Sequence, residues 1–240
     1  MATIPQSPNT ARVVDYPTSD GRPMAETDVH RDEMVDLIQA LKRHYADDPM
    51  VYVSGNILVF YVEGDKHKHV SPDVLITLGI AKRRRDNYLI WEEDHAPDFV
   101  IELTSKSTRK EDTDKKFALY RDILKVREYF LFDPFAEYLK PPFQGHRLVE
   151  GRYEPIAPVA GRLPSMVTGL HLERDGLELR LFNPATGSRL PTSEELILRE
   201  TEARRHAEGT ALREAEGRRH AEEELARLRR ELEALKGGPG

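Results

Sequence analysis

Apolar residues recur along the chain with two different spacings, which separate helices from strands. From Asp32 to Tyr45 they fall three or four residues apart, the spacing of one helix face, and Lys110–Leu124 repeats it. Shorter apolar or alternating runs predict strands at Val51–Val53, Ile57–Val62, Asp73–Leu78, Tyr88–Trp91, Phe99–Leu103 and Tyr129–Phe132. Two hairpins are predicted further along, at His146–Pro155 and Leu170–Phe182. This order indicates an α/β fold, in which helices flank a mixed sheet.

The chain divides into three segments of different composition. Residues 1–25 are rich in Pro, Ser, Thr and Asp, which predicts a flexible leader. Residues 26–190 hold most of the aromatic residues and the single tryptophan, so this segment is the predicted folded domain. Residues 193–236 consist almost entirely of Glu, Arg, Ala and Leu, which predicts one long C-terminal helix.

The predicted C-terminal helix carries part of a coiled-coil seam. Its leucines follow 3-4-3 spacing at Leu225, Leu228, Leu232 and Leu235. Upstream of them the seam positions hold Ala, Arg and Glu. The helix is therefore either a dimerisation or partner-binding arm, or a solvated single helix stabilised by Glu–Arg pairs four residues apart. A homodimer of the folded domain would present two active sites to a duplex.

The overall composition excludes several classes of protein. The chain has 240 residues, no cysteine and a formal net charge of −6, so disulfides and thiolate metal sites are excluded. No apolar run approaches the roughly 20 residues of a membrane helix, and the first residues lack the apolar stretch of a signal peptide. We expect a cytoplasmic protein without a membrane partner.

One predicted strand contains a carboxylate whose negative charge must be balanced. Glu102 lies among apolar neighbours in the strand that ends at Leu103, where a charge is costly unless it is paired or bound to a metal. Asp73 could supply a second metal ligand if its strand lies beside that of Glu102. Asp98, on the same strand, would be about 13 Å from Glu102 and too far to share one ion. Alternatively, both aspartates cap turns, and Glu102 forms an ion pair with a nearby Lys or Arg.

A lysine on the second predicted helix is the natural partner of this glutamate. On an α-helical wheel, Lys116 falls inside the apolar arc with Tyr120 and Ile123, whereas Lys115 faces water. An inward lysine needs an anionic partner, and Glu102 is the candidate. Beside a metal, such a lysine could orient water or stabilise charge on a phosphate, but a purely structural ion pair would look the same.

Two polar segments could bind phosphate. Residues 104–110 combine hydroxyls and cations at the start of the second helix, which suits either phosphate binding or plain N-capping. Residues 81–85 form the densest basic run of the domain, which could contact a nucleic-acid backbone or could be a solvated loop.

Taken together, these segments resemble the Uma-two family of predicted restriction endonucleases, within the PD-(D/E)XK nuclease superfamily. The resemblance rests on four stretches in order: SPDV at 71–74, PDFVIELTSKST at 97–108, D-x3-K-x3-Y at 112–120 and REYFLFDP at 127–134. It implies a restriction-endonuclease-like core and hydrolysis of phosphodiester bonds in DNA. Thr104 stands where the superfamily pattern has its lysine, and Lys116 matches the lysine thought to replace it.

The resemblance also assigns roles to individual residues. Asp73, Glu102 and the Leu103 carbonyl would hold Mg²⁺, with Mn²⁺ as a second candidate, and Lys116 would complete the catalytic set. Other residues would support the site or position the substrate, namely Ser105, Asp112 and Tyr120. An additional acidic residue from the first helix would be Glu33 or Asp36. The alternative is an inactive module that kept the fold and serves binding or assembly through its C-terminal helix.

Overall fold

The computed structural model describes residues 16–19 and 27–236, with side chains up to residue 233. Apart from residues 16–19, the predicted leader (1–25) lies outside this description. The described residues form two compact units, which divide between Leu190 and Pro191. The first unit is a mixed α/β domain and the second contains one long helix, which confirms the predicted fold class.

A six-stranded mixed sheet forms the centre of the domain. Its two innermost strands, β6 (Phe99–Leu103) and β7 (Glu128–Phe132), are parallel, and all the other neighbouring strands pair antiparallel. Every residue of β6 and β7 is buried, which agrees with their continuous apolar sequences. In spatial order the strands are β1 (Val51–Ser54), β4 (Val74–Leu78), β6 (Phe99–Leu103), β7 (Glu128–Phe132), β8 (Phe143–Val149) and β9 (Arg152–Pro155).

One face of the central sheet is covered by the first helix and a second sheet. Helix α1 (Asp28–His44) begins at Thr27, whose side chain accepts a hydrogen bond from the His30 amide. Apolar residues of α1 pack into the same buried cluster as residues of both sheets. The second sheet contains β10 (Leu163–Pro164), β11 (His171–Asp175), β12 (Glu178–Asn183) and β13 (Ser188–Arg189). Both predicted hairpins are present, as β8–β9 and β11–β12.

Glu33 on α1 is turned towards this second sheet. Its carboxylate accepts a hydrogen bond from the Leu179 amide at 2.8 Å, and burial raises the pKa of Glu33 to about 8. At pH values between 4.5, the ordinary pKa of the group, and about 8, Glu33 keeps its proton in the folded state but releases it in the unfolded state. The contribution of Glu33 to folding stability therefore falls as the pH rises through this window.

Replacing Glu33 with glutamine should remove this pH dependence, because the amide oxygen can still accept the Leu179 hydrogen bond without carrying charge. We expect Glu33→Gln to exceed wild type in unfolding free energy by on the order of 2–4 kcal/mol at pH 9, and by much less at pH 5. Urea unfolding at both pH values measures the difference. Asp32→Asn, at an exposed position of the same helix, is the control. Parallel pH profiles for wild type and Glu33→Gln would contradict the prediction.

A small third sheet differs from the sequence prediction. It contains β2 (Val59–Phe60), β3 (His69–Val70) and β5 (Tyr88–Leu89), so the strand predicted over 57–62 is shorter than expected. The strand predicted over 88–91 ends after two residues, and the chain continues as a short helix, α2 (Ile90–Glu93). The Tyr88 hydroxyl donates a hydrogen bond to the His95 carbonyl at 2.8 Å, which links the start of β5 to the segment that follows α2.

The second predicted helix does not have plain α geometry. Residues 109–123 are helical, but most of them lie in two π-helical segments, π1 (Glu111–Lys116) and π2 (Leu119–Ile123). A π-helix closes hydrogen bonds between residues five apart and so turns less per residue than an α-helix. Ile123, predicted to be inward, is consequently 60% exposed, whereas Tyr120 is fully buried.

The second unit contains helix α3 (Ser193–Lys236). It begins with a reciprocal capping pair, in which the Glu195 amide donates to the Thr192 hydroxyl and the Thr192 amide donates to the Glu195 carboxylate. Along the helix, Arg204 and Glu208 form an ion pair four residues apart, as the single-helix alternative expects. Three of its seam leucines are exposed: Leu225, Leu228 and Leu232. Among the helices of the described part, none combines the length and apolar character needed to cross a membrane.

Candidate active site

Strand pairing brings the two predicted metal-binding carboxylates together. Val74 pairs with Ile101 in the antiparallel β4–β6 register, so Asp73 and Glu102 are neighbours at the same end of the sheet. Asp73 is held there by its Oδ2, which accepts a hydrogen bond from the Leu103 amide at 2.7 Å. Asp98 lies at the opposite end of β6, where its carboxylate accepts a hydrogen bond from the Leu78 amide at 2.8 Å.

Glu102 has no exposed surface, and both of its carboxylate oxygens are hydrogen-bonded. Oε2 accepts from the Lys116 ammonium at 2.7 Å, and Oε1 accepts from the Tyr120 hydroxyl at 2.6 Å. Burial raises the pKa of Glu102 well above its ordinary value, although the charge of Lys116 acts in the opposite direction. The helix and the strand are thus joined through this one carboxylate.

Lys116 faces the sheet, as the sequence predicts, and sits among several oxygens. Besides Glu102, its ammonium lies 3.4 Å from Asp112 Oδ1 and 3.4 Å from the Ser71 carbonyl oxygen. Burial alone would lower the pKa of Lys116, but the charges of Glu102 and Asp112 outweigh it and raise the pKa. The side chain therefore carries a permanent positive charge near neutral pH and is unsuited to accept a proton.

Asp112 is a third buried carboxylate of this cluster. Its side chain is 1% exposed, and its oxygens are only weakly held, by the Thr108 side chain and by the Lys116 ammonium at 3.4 Å. Its backbone carbonyl accepts a hydrogen bond from the Tyr129 hydroxyl at 3.0 Å. Burial raises the pKa of the Asp112 carboxyl, against the charge of Lys116.

The first helix contributes a histidine that the sequence analysis missed. His30 Nε2 lies 3.4 Å from Asp73 Oδ1. Burial raises the pKa of Asp73, but the hydrogen bond from His30 and the charge of Lys116 lower it below its ordinary value. The family resemblance instead implies an additional acidic residue from this helix, either Glu33 or Asp36. The only signal for His30 was its position one turn before Glu33 on the same buried face of α1.

These residues open onto a cleft of about 1370 Å³. Ser105 lines it, and its hydroxyl lies 3.3 Å from the Thr108 amide while Thr108 Oγ1 accepts from the Ser105 amide at 3.0 Å. This reciprocal pair is the N-capping arrangement that the sequence allowed as an alternative to phosphate binding. It lies at the rim of the cleft. Tyr120 is fully buried behind Glu102. The lining also includes His30, Asp73, Glu102, Asp112, Lys115 and Lys116. Neither Glu33 nor Asp36 belongs to the described lining of the cleft.

The chemistry of the cluster suits a hard divalent cation. Asp73, Glu102 and Asp112 share one lysine, so the ionised cluster carries excess negative charge, and carboxylates are preferred ligands of Mg²⁺. Within the described ranges, however, no three His, Cys, Asp or Glu side chains are already arranged as a ligand set. A cation here would therefore combine one or two carboxylates with main-chain and water oxygens.

The basic run at 81–85 serves the structure of the domain. The Arg85 guanidinium pairs with Glu93 at 2.7 Å and lies 4.2 Å above the Tyr52 ring. The Lys82 ammonium donates to the Tyr45 carbonyl at 2.5 Å. As far as the structure describes the cleft, residues 81–85 do not line it. These contacts favour the structural interpretation of the run over phosphate binding.

The chain matches one protein-family model and is similar to a solved structure. The family model Uma2, described as "Putative restriction endonuclease", matches residues 6–180. The chain is also similar to a solved structure of a putative nuclease belonging to DUF820 from Anabaena variabilis. The two share 16% sequence identity with a TM-score of 0.46, over 65% of this chain and 82% of that one. No curated protein matches the sequence.

Proposed function

The chain belongs to the Uma2 family of putative restriction endonucleases, and from that premise we propose that it is a metal-dependent endonuclease that hydrolyses phosphodiester bonds in DNA. The observation that carries the proposal is the buried Asp73–Glu102 pair, with the Lys116 ammonium 2.7 Å from Glu102, at the floor of an open cleft. A purely structural ion pair would not need a second carboxylate beside it.

Metal binding would use the end of strand β6. Asp73, Glu102 and the Leu103 carbonyl would hold Mg²⁺ or Mn²⁺, with water completing the coordination. When bound, the ion would lower the pKa of a water molecule and offset charge on the scissile phosphate. The amide of Leu103 already fixes Asp73 through its Oδ2, so the proposed carboxylate and carbonyl ligands are held in register by one hydrogen bond.

Lys116 would act as a permanent positive charge. Its raised pKa keeps it an ammonium, so it would stabilise negative charge that develops on the phosphate in the transition state or orient the attacking water. Tyr120 would hold Glu102 in position through its 2.6 Å hydrogen bond. Ser105, at the rim of the cleft, would position the substrate backbone.

Two observations favour a second candidate, an inactive nuclease-fold module that serves binding or assembly. Both oxygens of Glu102 are engaged by protein donors, as in a structural ion pair, and helix α3 exposes leucines that could contact a second copy or another partner. Homodimerisation through α3 would also serve the endonuclease, because it would present two sites to a duplex. Metal-dependent cleavage separates the two candidates.

Supercoiled plasmid should be nicked or linearised in the presence of Mg²⁺ or Mn²⁺ and left intact when a chelator is added. Asp73→Asn should weaken Mn²⁺ binding, measured by calorimetry, by about 10- to 100-fold, because it removes a charged ligand while its amide oxygen can still accept the Leu103 hydrogen bond. Asp98→Asn is the matched control, since Asp98 also accepts a backbone hydrogen bond at an end of β6 but lies outside the described lining of the cleft.

Loss of cleavage and of Mn²⁺ binding in Asp73→Asn, with both retained in Asp98→Asn, would support the endonuclease. A wild-type protein that neither binds Mn²⁺ nor cleaves under either metal would favour the binding or assembly module.

A further inference from the structure

The Lys116 ammonium competes for the oxygen that the proposed cation needs. It lies 2.7 Å from Glu102 Oε2, while Oε1 is held by Tyr120. A divalent cation that binds Oε2 would meet a positive charge at hydrogen-bond distance from its own ligand, and like charges this close repel strongly in a buried site. Cation binding at Glu102 would therefore be favoured by movement of the Lys116 ammonium away from this oxygen.

Asp112 offers the displaced ammonium a second partner. It stands four residues before Lys116 on the same helix, a spacing that brings two side chains together. Its Oδ1 lies 3.4 Å from the Lys116 nitrogen, slightly beyond the length of a strong charged hydrogen bond. Its oxygens are only weakly held, by the Thr108 side chain and the Lys116 ammonium, although the side chain is almost completely buried and lines the cleft. A buried carboxylate held this weakly is costly, so it has room to accept a stronger bond from the displaced ammonium.

We propose that Asp112 is a positioning residue that receives the Lys116 ammonium when a divalent cation binds Asp73 and Glu102. This inference rests on the proposed endonuclease function. In the cation-free state the ammonium is bonded to Glu102 and only approaches Asp112. In the loaded state it is hydrogen-bonded to Asp112, Glu102 Oε2 is available to the cation, and the positive charge stays inside the cleft. No covalent bond changes and no proton moves.

The π-helical winding contributes to this arrangement. Lys116 is the last residue of π1 and Tyr120 lies in π2, so the two donors to Glu102 come from two consecutive π-helical segments. Tyr129 fixes the backbone of π1 through the Asp112 carbonyl. Tyr120 fixes the other oxygen of Glu102. Only the lysine side chain has to move, because both of its carboxylate partners are held in place.

A double-mutant cycle tests the role of Asp112. Mn²⁺ is titrated by calorimetry into wild type, Asp112→Asn, Lys116→Met and the double variant. Asp112→Asn should weaken Mn²⁺ binding on the order of tenfold, because Glu102 is then the only carboxylate in contact with the lysine, which competes with the cation for it. Lys116→Met should bind Mn²⁺ at least as tightly as wild type, and the double variant should match Lys116→Met. Asp122→Asn, an exposed aspartate on the same helix, is the control.

The outcomes separate this inference from the proposed function. If the double variant is weaker than Lys116→Met by the same factor that separates Asp112→Asn from wild type, Asp112 acts on the cation directly and the inference is wrong. Unchanged Mn²⁺ affinity in Asp112→Asn, with its fold verified by thermal unfolding, would also overturn it. Absence of Mn²⁺ binding in wild type and in Lys116→Met alike would instead overturn the proposed function itself.

Discussion

Replacing Lys116 with methionine should lower the rate of plasmid cleavage by about 10²- to 10³-fold, the usual cost of removing a preorganised group that stabilises transition-state charge. Methionine fills a similar volume. Glu102 keeps its hydrogen bond from Tyr120 in the variant, and a bound cation would balance its charge, so the domain should remain folded at saturating Mn²⁺. The measurement is the initial rate of nicking at saturating Mn²⁺, together with a thermal unfolding curve.

Lys115 supplies the matched control for this variant. It is the neighbouring residue of the same helix and lines the same cleft, but it is exposed to solvent. Lys115→Met should change cleavage only modestly, by weakening an exposed contact to the substrate backbone that salt can replace. An equal loss of cleavage rate in the two lysine variants would mean that any positive charge in the cleft has this effect, whatever its position. That result would contradict a catalytic role specific to Lys116.

Gly55→Ala should disrupt the site from its backbone side. A Cβ at this position would lie 1.9 Å from the Asp73 carbonyl oxygen and 2.6 Å from the Ile38 Cδ1 atom. The backbone cannot easily yield, because the adjacent Asn56 amide donates to the Pro72 carbonyl at 2.7 Å. We expect a loss of about 2–4 kcal/mol in unfolding free energy, in the upper range of overpacking substitutions.

Mn²⁺ binding should fall in the same variant, because the backbone that moves is that of the metal-binding aspartate. Urea unfolding and calorimetry measure the two effects separately. Gly217→Ala is the control: nothing lies within 4 Å of a Cβ there, and alanine should stabilise helix α3 by up to about 1 kcal/mol. A stable Gly55→Ala protein with unchanged Mn²⁺ affinity would contradict this account of the turn.

The inward position of Lys116 was predictable although the helix geometry was not. Lys116 falls within one turn of Tyr120, and over so short a span α and π winding place two residues on nearly the same face. Over seven residues the difference accumulates, which is why Ile123 was wrongly predicted to face inward and is 60% exposed. Nothing in local propensity distinguishes the two windings, since packing against the sheet selects between them.

The residues that sequence analysis missed or misplaced depend on contacts between distant parts of the chain. Glu33 and His30 share the buried face of α1, and the sequence could not say which would reach the cleft. The packing of the second sheet against α1 determines which side chain reaches the cleft. The Leu179 amide donates a hydrogen bond to the Glu33 carboxylate, and His30 lies beside Asp73. The burial of the Asp112 carboxylate beside Lys116 could likewise not be read from the sequence.

The sequence by itself determined which segments are buried strands, which carboxylate stands inside one of them and which lysine faces it. These properties follow from local spacing, because strands and helices repeat every two and every three to four residues. Only the tertiary structure decided that β4 and β6 run side by side and align Asp73 with Glu102, and that Lys116 is shared between Glu102 and Asp112. Such distances depend on how separate elements pack, and no local pattern encodes that packing.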